Sequence, residues 1–591
     1  MLPQAERRPW IPLPRQSMSS AVPSPLFPRV RQLALLGRLA REAGWRHGAL
    51  LALSSALSSM LDIAGLGVGV SLLLGSANGG SGLGLQLPVR LPLEQGLALL
   101  VGLVLVRGLL QALIAIGQER LRSGFTDRLR QQLLQQVVLA PAVQLEQVGR
   151  GELLGLLMAN ISRSVFALDQ GLRALQALLA LTLYASGVVV VGRQAAIPLV
   201  LALLATGAAA LLQRSGSWEL GRLQTRLNSA LQRTVGDGLH GLKAVRAAAA
   251  EPWLLQRFAA DNRRFRQVLR QTVQRQALFN ALRDTLVVAV VGAWLVWGRS
   301  GLPPTAMATT LLLAYRSGTS LSTVIGAQRM CLGELPGYEE LCSRRAILTP
   351  APGQEQGTRV PAAACEALAD PLVWHGLCWQ QAAAALALQP GALVAVVGPS
   401  GSGKTTLLDR FCGLLGEEHS QWRIRSAMGD LQIGGPVGAR QLRQLLAYAP
   451  QEAVLFEASL RHNLLLDRQQ PTEVIEAWLE RLGLAHLLQR PGGLDDPLPL
   501  ALDHFSGGEI HRLGLLRAWL RDRPVEVLDE PTAFLDAESA RRVQAILLER
   551  SRERLVLVST HDVDLIRQAD RIVRLEASDR QAAERQHHLA R

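Results

Sequence analysis

Six stretches before residue 330 carry almost no charge: Ala49–Gly75, Leu97–Gly117, Ala174–Gly192, Ala195–Gln213, Thr285–Gly298 and Leu302–Gln328. Asp62 alone interrupts the first, Arg107 the second and Arg316 the sixth. Runs approaching about 20 residues match the hydrocarbon thickness of a bilayer, and the short fifth run reaches that length with its flanks. None shows the polar stripe of a helix packed on a water-soluble core. In hydrocarbon each backbone N–H and C=O must be satisfied inside its own segment, so such stretches are held to helices. The runs predict six spanning helices.

Charge placement orients them. The stretch between the second and third runs holds Arg120, Arg122, Arg128, Arg130, Arg150, Arg163 and Arg173, and that between the fourth and fifth is richer still, from Arg214 to Arg283. The other three connections carry little beyond Arg90, Arg193 and Arg299. By the positive-inside bias, both termini and both long connections lie in the cytosol. The formal net charge of +14 is thereby accounted for without nucleic acid as a partner.

Within the long connections, Leu121, Phe125, Leu129 and Leu133 recur at helical spacing, as do Leu220, Leu223, Leu227 and Leu231. Spanning helices therefore continue past the bilayer as amphipathic rods, turning near Ala140–Glu152 and Asp237–Pro252, where Gly and Pro gather. Ser76–Pro92 reads as a flexible outward loop. The first thirty residues are basic and Pro-rich, with no apolar core of a cleavable signal. The five cysteines (Cys331, Cys342, Cys365, Cys378, Cys412) lack metal-ligand spacing and read as reduced thiols.

After a Pro/Gly/Gln/Ala-rich linker the pattern turns α/β. Leu393–Val397 reads as a buried strand, followed by Gly398-Pro399-Ser400-Gly401-Ser402-Gly403-Lys404-Thr405-Thr406 and then a helix. That is G-x-x-x-x-G-K-[ST] in its strand–loop–helix setting. The glycines let successive N–H groups face phosphate oxygens, and the helix N-terminus adds its positive dipole end. Lys404 supplies a charge for the β- and γ-phosphates, and Thr405 a hydroxyl for Mg²⁺. Gln451 follows Ala449-Pro450 and is able to coordinate Mg²⁺ or place water. Phe505-Ser506-Gly507-Gly508-Glu509 precedes an amphipathic helix as a second anion nest, or as an ordinary Ser cap. Val525–Glu530 reads as a strand ending in Asp529, for the Mg²⁺ shell, and Glu530, as general base, or in two solvated acids. Asp536 follows it closely, and Leu555–Thr560 is a further strand ending at His561.

Together these residues resemble the nucleotide-binding domain of the ATP-binding cassette superfamily. The resemblance makes Gly398–Thr406 the Walker A loop, Gln451 the Q-loop, Ser506-Gly507-Gly508 the signature and Asp529-Glu530 Walker B. Asp536 falls in the D-loop, His561 is the switch histidine, and Trp379 is similar to the aromatic that stacks on adenine. Six spans with long second and fourth cytosolic connections resemble the exporter-type membrane domain, whose coupling helices would be the two turns. The fold class this implies is multi-domain: an all-α six-helix transmembrane domain followed by an α/β P-loop ATPase. The segments are a tail (1–30), the membrane domain (31–348), a linker (349–370), the ATPase (371–578) and a polar tail (579–591).

Since the family's ATP site forms between Walker A of one subunit and the signature of another, the resemblance implies a homodimer or a pair with a related half-transporter. It further implies ATP and Mg²⁺ as cofactors, the bacterial inner membrane as location, and export of a lipid, peptide or other amphipathic or anionic compound. Relatives with this architecture that import or gate form the alternative. Departures are Phe505 and Glu509 within the signature, a short spacing from Trp379 to Gly398, the absence of a T-x-V-G-E segment in Leu494–His504, and a charge, Glu526, inside the Walker B strand. Asp62, Arg107 and Arg316 either line a cavity whose arginines suit an anionic substrate, or Asp62 pairs with an Arg, or an Arg reaches the cytosolic extension of its helix.

Overall fold

The computed structural model describes residues 27–75, 93–140, 142–192, parts of 197–207, 214–297, 304–348 and, with short gaps, 368–576. The fourth apolar run lies largely outside them, and the outward loop, most of the linker and both tails lie outside entirely. The backbone forms two compact units. One comprises residues 1–135 and 149–346; the other comprises residues 347–591 together with Gln136–Val148.

The N-terminal unit is helical. Its elements are Phe27–Ala43, Trp45–Gly75, Leu93–Leu139, Arg150–Gly155 continuing through Ile161–Gly192, Arg214–His240, Leu242–Ala247, Glu251–Trp297 and Pro304–Leu348. Among the described residues three helical segments, Trp45–Val70, Leu93–Leu139 and Gly151–Gly192, are long and apolar enough to cross a membrane. The fifth run as far as Trp297 and the sixth run from Pro304 lie within the helices Glu251–Trp297 and Pro304–Leu348.

At 47 residues, Leu93–Leu139 and Glu251–Trp297 are each roughly 70 Å long, about twice a bilayer's hydrocarbon core. The rods anticipated beyond the bilayer are thus continuous with the spans. Phe125, Leu129 and Leu133 are buried, as their spacing requires. The second predicted stripe differs: Leu223 is exposed, and Gly221, Thr225, Thr234 and Gly238 are buried instead. Close backbone approach explains the change. A Cβ on Gly221 would stand 2.3 Å from the Gly333 carbonyl oxygen, and Thr225 accepts from Arg163, whose Nε also meets Glu334 at 2.5 Å. Both anticipated turns hold a short helix, Ala142–Val148 and Leu242–Ala247.

The three charges inside the apolar runs meet. Asp62 lies 2.5 Å from Arg107 and 3.3 Å from Arg316, and accepts from the Tyr184 hydroxyl at 2.7 Å. Pairing removes most of the cost of placing each ion in an apolar setting.

In the C-terminal unit, β1 (Trp374–Gln381), β2 (Ala384–Leu388), β4 (Gln421–Ser426) and β5 (Gly429–Gly434) form an antiparallel sheet in the order β2-β1-β4-β5. A second sheet orders β6 (Leu446–Ala449), β7 (Val525–Asp529), β8 (Leu555–Ser559), β3 (Ala392–Val397) and β9 (Arg571–Arg574) as β6-β7-β8-β3-β9, with every pair parallel. A parallel sheet covered on both faces needs strands apolar throughout, and β3 and β8 are. Alternate residues of β3, β7 and β8 feed two cores. Leu393, Ala395, Leu528, Val556 and Val558 enter one, while Val394, Val396, Val525, Val527, Leu555 and Leu557 enter the other.

Glu526 breaks this rule inside β7, and its partners explain how. Arg550, on the helix Ala537–Ser551, meets it at 2.5 Å, and Arg554 lies at 3.6 Å. Burial raises the Glu526 carboxyl above its usual range, while the two guanidinium groups oppose that shift. Arg550→Ala would strand the carboxylate, at a cost of about 3 kcal/mol. The expected result is a drop of roughly 6–12 °C in the unfolding midpoint of the detergent-solubilised protein, read by tryptophan fluorescence.

Candidate nucleotide site

Strand register builds the site. In β3, β7 and β8, Val396 pairs with Ser559 and Ser559 with Asp529, so the three carboxyl ends are flush. The chain leaves β3 through a loop in which Gly401 and Gly403 have φ of +79° and +91°, a region that only glycine enters freely. Gly403 caps the helix Lys404–Phe411. Gly398 is required by space, since a Cβ there would lie 2.8 Å from the Leu575 carbonyl oxygen and 2.6 Å from Ser402 Oγ.

Lys404 turns back across this loop and is only 7% exposed. Its Nζ donates to the Gly398 carbonyl at 3.2 Å, lies 2.7 Å from His561 Nε2 and 3.7 Å from a Glu530 oxygen. His561 Nε2 is in turn 3.3 Å from Glu530. Residues from three strand ends thus converge on one point. Glu530 has φ +51°, a costly conformation for a side chain with a Cβ. Its N–H is anchored by the Ser559 carbonyl and hydroxyl at 3.1 and 3.0 Å.

Alternation along β7 puts Asp529 on the face of Val525 and Val527, toward the helix Lys404–Phe411. One Asp529 oxygen accepts from Ser559 Oγ; the other is buried without a partner, as is Ser402 Oγ. A buried acceptor left open beside a glycine-built loop and a buried lysine suits a divalent cation and a polyphosphate. The site therefore fits Mg²⁺ and ATP. Ser400, Thr405 and Thr406 lie in the same loop and first helical turn.

Gln451 follows β6, the neighbour of β7, and so stands at the same sheet edge as Asp529. His511 holds this segment: its ring nitrogens lie 3.2 Å from the carbonyl oxygens of Gln451 and Pro531. Ser506 caps the helix Gly507–Trp519, with Glu509 closing a capping box. A Cβ on Gly508 would meet the Phe534 carbonyl oxygen at 3.1 Å, whereas at Gly507 it would meet open space. Phe505 is buried under the Arg490 guanidinium, 5.3 Å from the ring centre. That contact accounts for an aromatic where the family has Leu. Asp536 caps the helix Ala537–Ser551, and hydrogen bonds led by the Ser539 N–H hold its carboxyl down to about 2.

The adenine-stacking assignment of Trp379 is corrected. Its side chain is 1% exposed, paired in register with Trp422 and edge-on to Phe411 at 6.1 Å. It shares a strand face with Leu377, so the ring fills the core and presents no surface to a base. Two residues were missed in the sequence, Ser559 and His511. Each is an ordinary strand or helix residue whose role appears only when a second element arrives beside it.

Fold and site define a P-loop ATPase joined to a membrane-spanning helical domain. The ABC transporter family model matches residues 382–533. The lipid A-core flippase of Nitrosococcus oceani is 25% identical over 509 residues, 80% of each chain. That of Ralstonia nicotianae is 36% identical over 199 residues, 32% of each chain. The solved structure of a bacterial Atm1-family ABC exporter with ATP bound superposes with a TM-score of 0.68 at 20% identity, covering 92% of this chain and 94% of that one. Residues 382–533 thus form an ABC transporter domain, carried in an integral membrane protein behind membrane-spanning helices in the fold of an ABC exporter half-transporter.

Two substitutions separate core from site. Trp379→Phe should leave the affinity for a fluorescent ATP analogue within about twofold, since the change lies in the core. Gly398→Ala should weaken it at least roughly tenfold, because the loop must move off a backbone oxygen.

Proposed function

We propose that two copies of this chain clamp two ATP molecules and use the closure to move a lipid-like, polar-headed substrate outward across the bacterial inner membrane. The convergence of Lys404, Glu530 and His561 beside the open oxygen of Asp529 carries the ATPase part of this reading. Lys404 binds the β- and γ-phosphates within the N–H groups of Gly398–Thr406. Thr405, Gln451 and Asp529 would hold Mg²⁺, which neutralises phosphate charge. Glu530 takes the proton of the attacking water, and His561 contacts the γ-phosphate as charge develops there. Ser506, Gly507 and Gly508 from the second copy complete the site, with Asp536 close to that boundary. One chain holds every part, so a homodimer suffices.

The domain limits proposed are 31–348 for the membrane part and 371–578 for the ATPase, with both termini cytosolic. The substrate class rests on the relatives' names and on the membrane unit itself. There a cavity of about 180 Å³ is lined by Ser55, Ser58, Ser59, Gln111, Arg107 and Tyr184. These groups suit a hydroxylated or anionic head while the tails stay in lipid. Asp62 fixes Arg107 and Arg316 around that region with one net positive charge left over.

Glu530→Gln should cut ATP turnover by roughly 10² to 10⁴-fold while ATP still drives dimer closure, measured by cross-linking in lipid nanodiscs. Wild-type turnover in that variant would remove Glu530 from the role of base. In inverted vesicles loaded with a fluorescent lipid, ATP should move the label away from the ATPase face. Movement toward it would reverse the assigned direction.

A further inference from the structure

Glu509 places a carboxylate in the first turn of the helix that, in the proposed reading, receives a γ-phosphate from the second copy. Two anions at one helix end oppose each other, so this residue needs a counterweight. The structure supplies one outside the signature. His486, in the short helical turn Ala485–Gln489, lies with Nε2 2.7 Å from Glu509 Oε1. The other oxygen, Oε2, accepts from the Ser506 N–H at 2.7 Å and from the Ser506 hydroxyl at 2.9 Å. Ser506 Oγ also accepts from the Glu509 N–H at 3.2 Å. Burial works against ionisation of Glu509, yet the bonds from Ser506 and His486 outweigh it and hold the carboxyl below its usual range.

The hydroxyl that would meet the phosphate is thus engaged by its own helix. For Ser506 to turn to a phosphate, its O–H must leave Glu509, and the carboxylate must be left stable without it. The Ser506 N–H and the His486 ring both remain, one on each carboxylate oxygen.

We propose that His486 is a positioning residue for ATP-driven closure: it anchors Glu509 so that the Ser506 hydroxyl is released to the γ-phosphate. This rests on the reading of Ser506 as a phosphate ligand. His486 touches no substrate and acts only through Glu509. A neutral amide at 509 would neither repel phosphate nor need the anchor.

The test is a cycle of His486→Ala and Glu509→Gln, singly and together, in the full-length protein in nanodiscs, with steady-state ATPase as readout. His486→Ala should raise KM for MgATP roughly three- to tenfold, the worth of one charge-assisted bond at a half-exposed site, with kcat changed less. In the Glu509→Gln background the same change should alter KM by less than about twofold. His486→Gln, which keeps a donor, should recover part of the loss. An equal rise in both backgrounds would mark a merely structural histidine, and no rise in either would overturn the proposal directly. Ser506→Ala separates the two readings. If it leaves ATPase intact, the phosphate role of Ser506 falls and this inference with it; if it abolishes ATPase while His486→Ala is silent, only the inference falls.

Discussion

Parallel hydrogen bonding among β3, β7 and β8 is the constraint on which the ATPase depends. Each strand ends in a residue of different chemistry, and none acts alone. Only with Val396, Ser559 and Asp529 held in one row do the loop lysine, the acid and the histidine arrive at one point. A slip of one residue would send Asp529 to the opposite face, away from the phosphate loop, and break its bond with Ser559. The strands are buried, so their register is fixed by packing on both sides. Rigidity there lets Glu530 sit at an unfavourable backbone angle, its N–H tied twice to Ser559.

How much of this was legible in the sequence follows from the range of each interaction. The phosphate loop, the strand-end acids and His561 are local patterns, strand then turn then helix, and their spacing alone announced them. The long rods were legible because no proline separates the apolar run Leu97–Gly117 from the helical spacing of Leu121–Leu133, and both lie in one helix. Trp379 was misread because a motif-like position says nothing of which strand face it occupies, and that face was set by Phe411 and Trp422. Leu223 failed for a related reason. Hydrophobic spacing marks a stripe, but Gly221 against Gly333 brought a different face into contact, and backbone approach outranked side-chain area.

Three ions in the apolar runs illustrate the same limit. From sequence, Asp62, Arg107 and Arg316 stand 45 and 209 positions apart, and nothing local separates a paired ion from a ligand. In the fold the pairing is what is observed. The arginines neutralise Asp62, and Arg107 still lines the polar cavity with Tyr184. A salt-bridged triad with unequal charge is a stable way to keep a guanidinium at a polar cavity wall without leaving it bare in hydrocarbon.

β7 carries the argument one step further, because it bears an acid near each end and handles them oppositely. Glu526 shares a face with Leu528 and looks toward the helix Ala537–Ser551, where Arg550 closes on it and lies 5.5 Å from the Trp478 ring. Asp529 faces the other way, and one of its oxygens is left without a protein partner. Each acid keeps one buried oxygen without a hydrogen bond, Glu526 Oε2 and Asp529 Oδ2, but only Glu526 is ion-paired among the described residues, so Asp529 is the acid whose charge is available to a ligand. Since Arg550 belongs to the helix capped by Asp536, the ion pair ties that segment to the strand that ends in Asp529 and Glu530. A displacement of the Asp536 cap would therefore load a strand already pinned at its far end, and it would be felt at Asp529 and Glu530 rather than lost in the core.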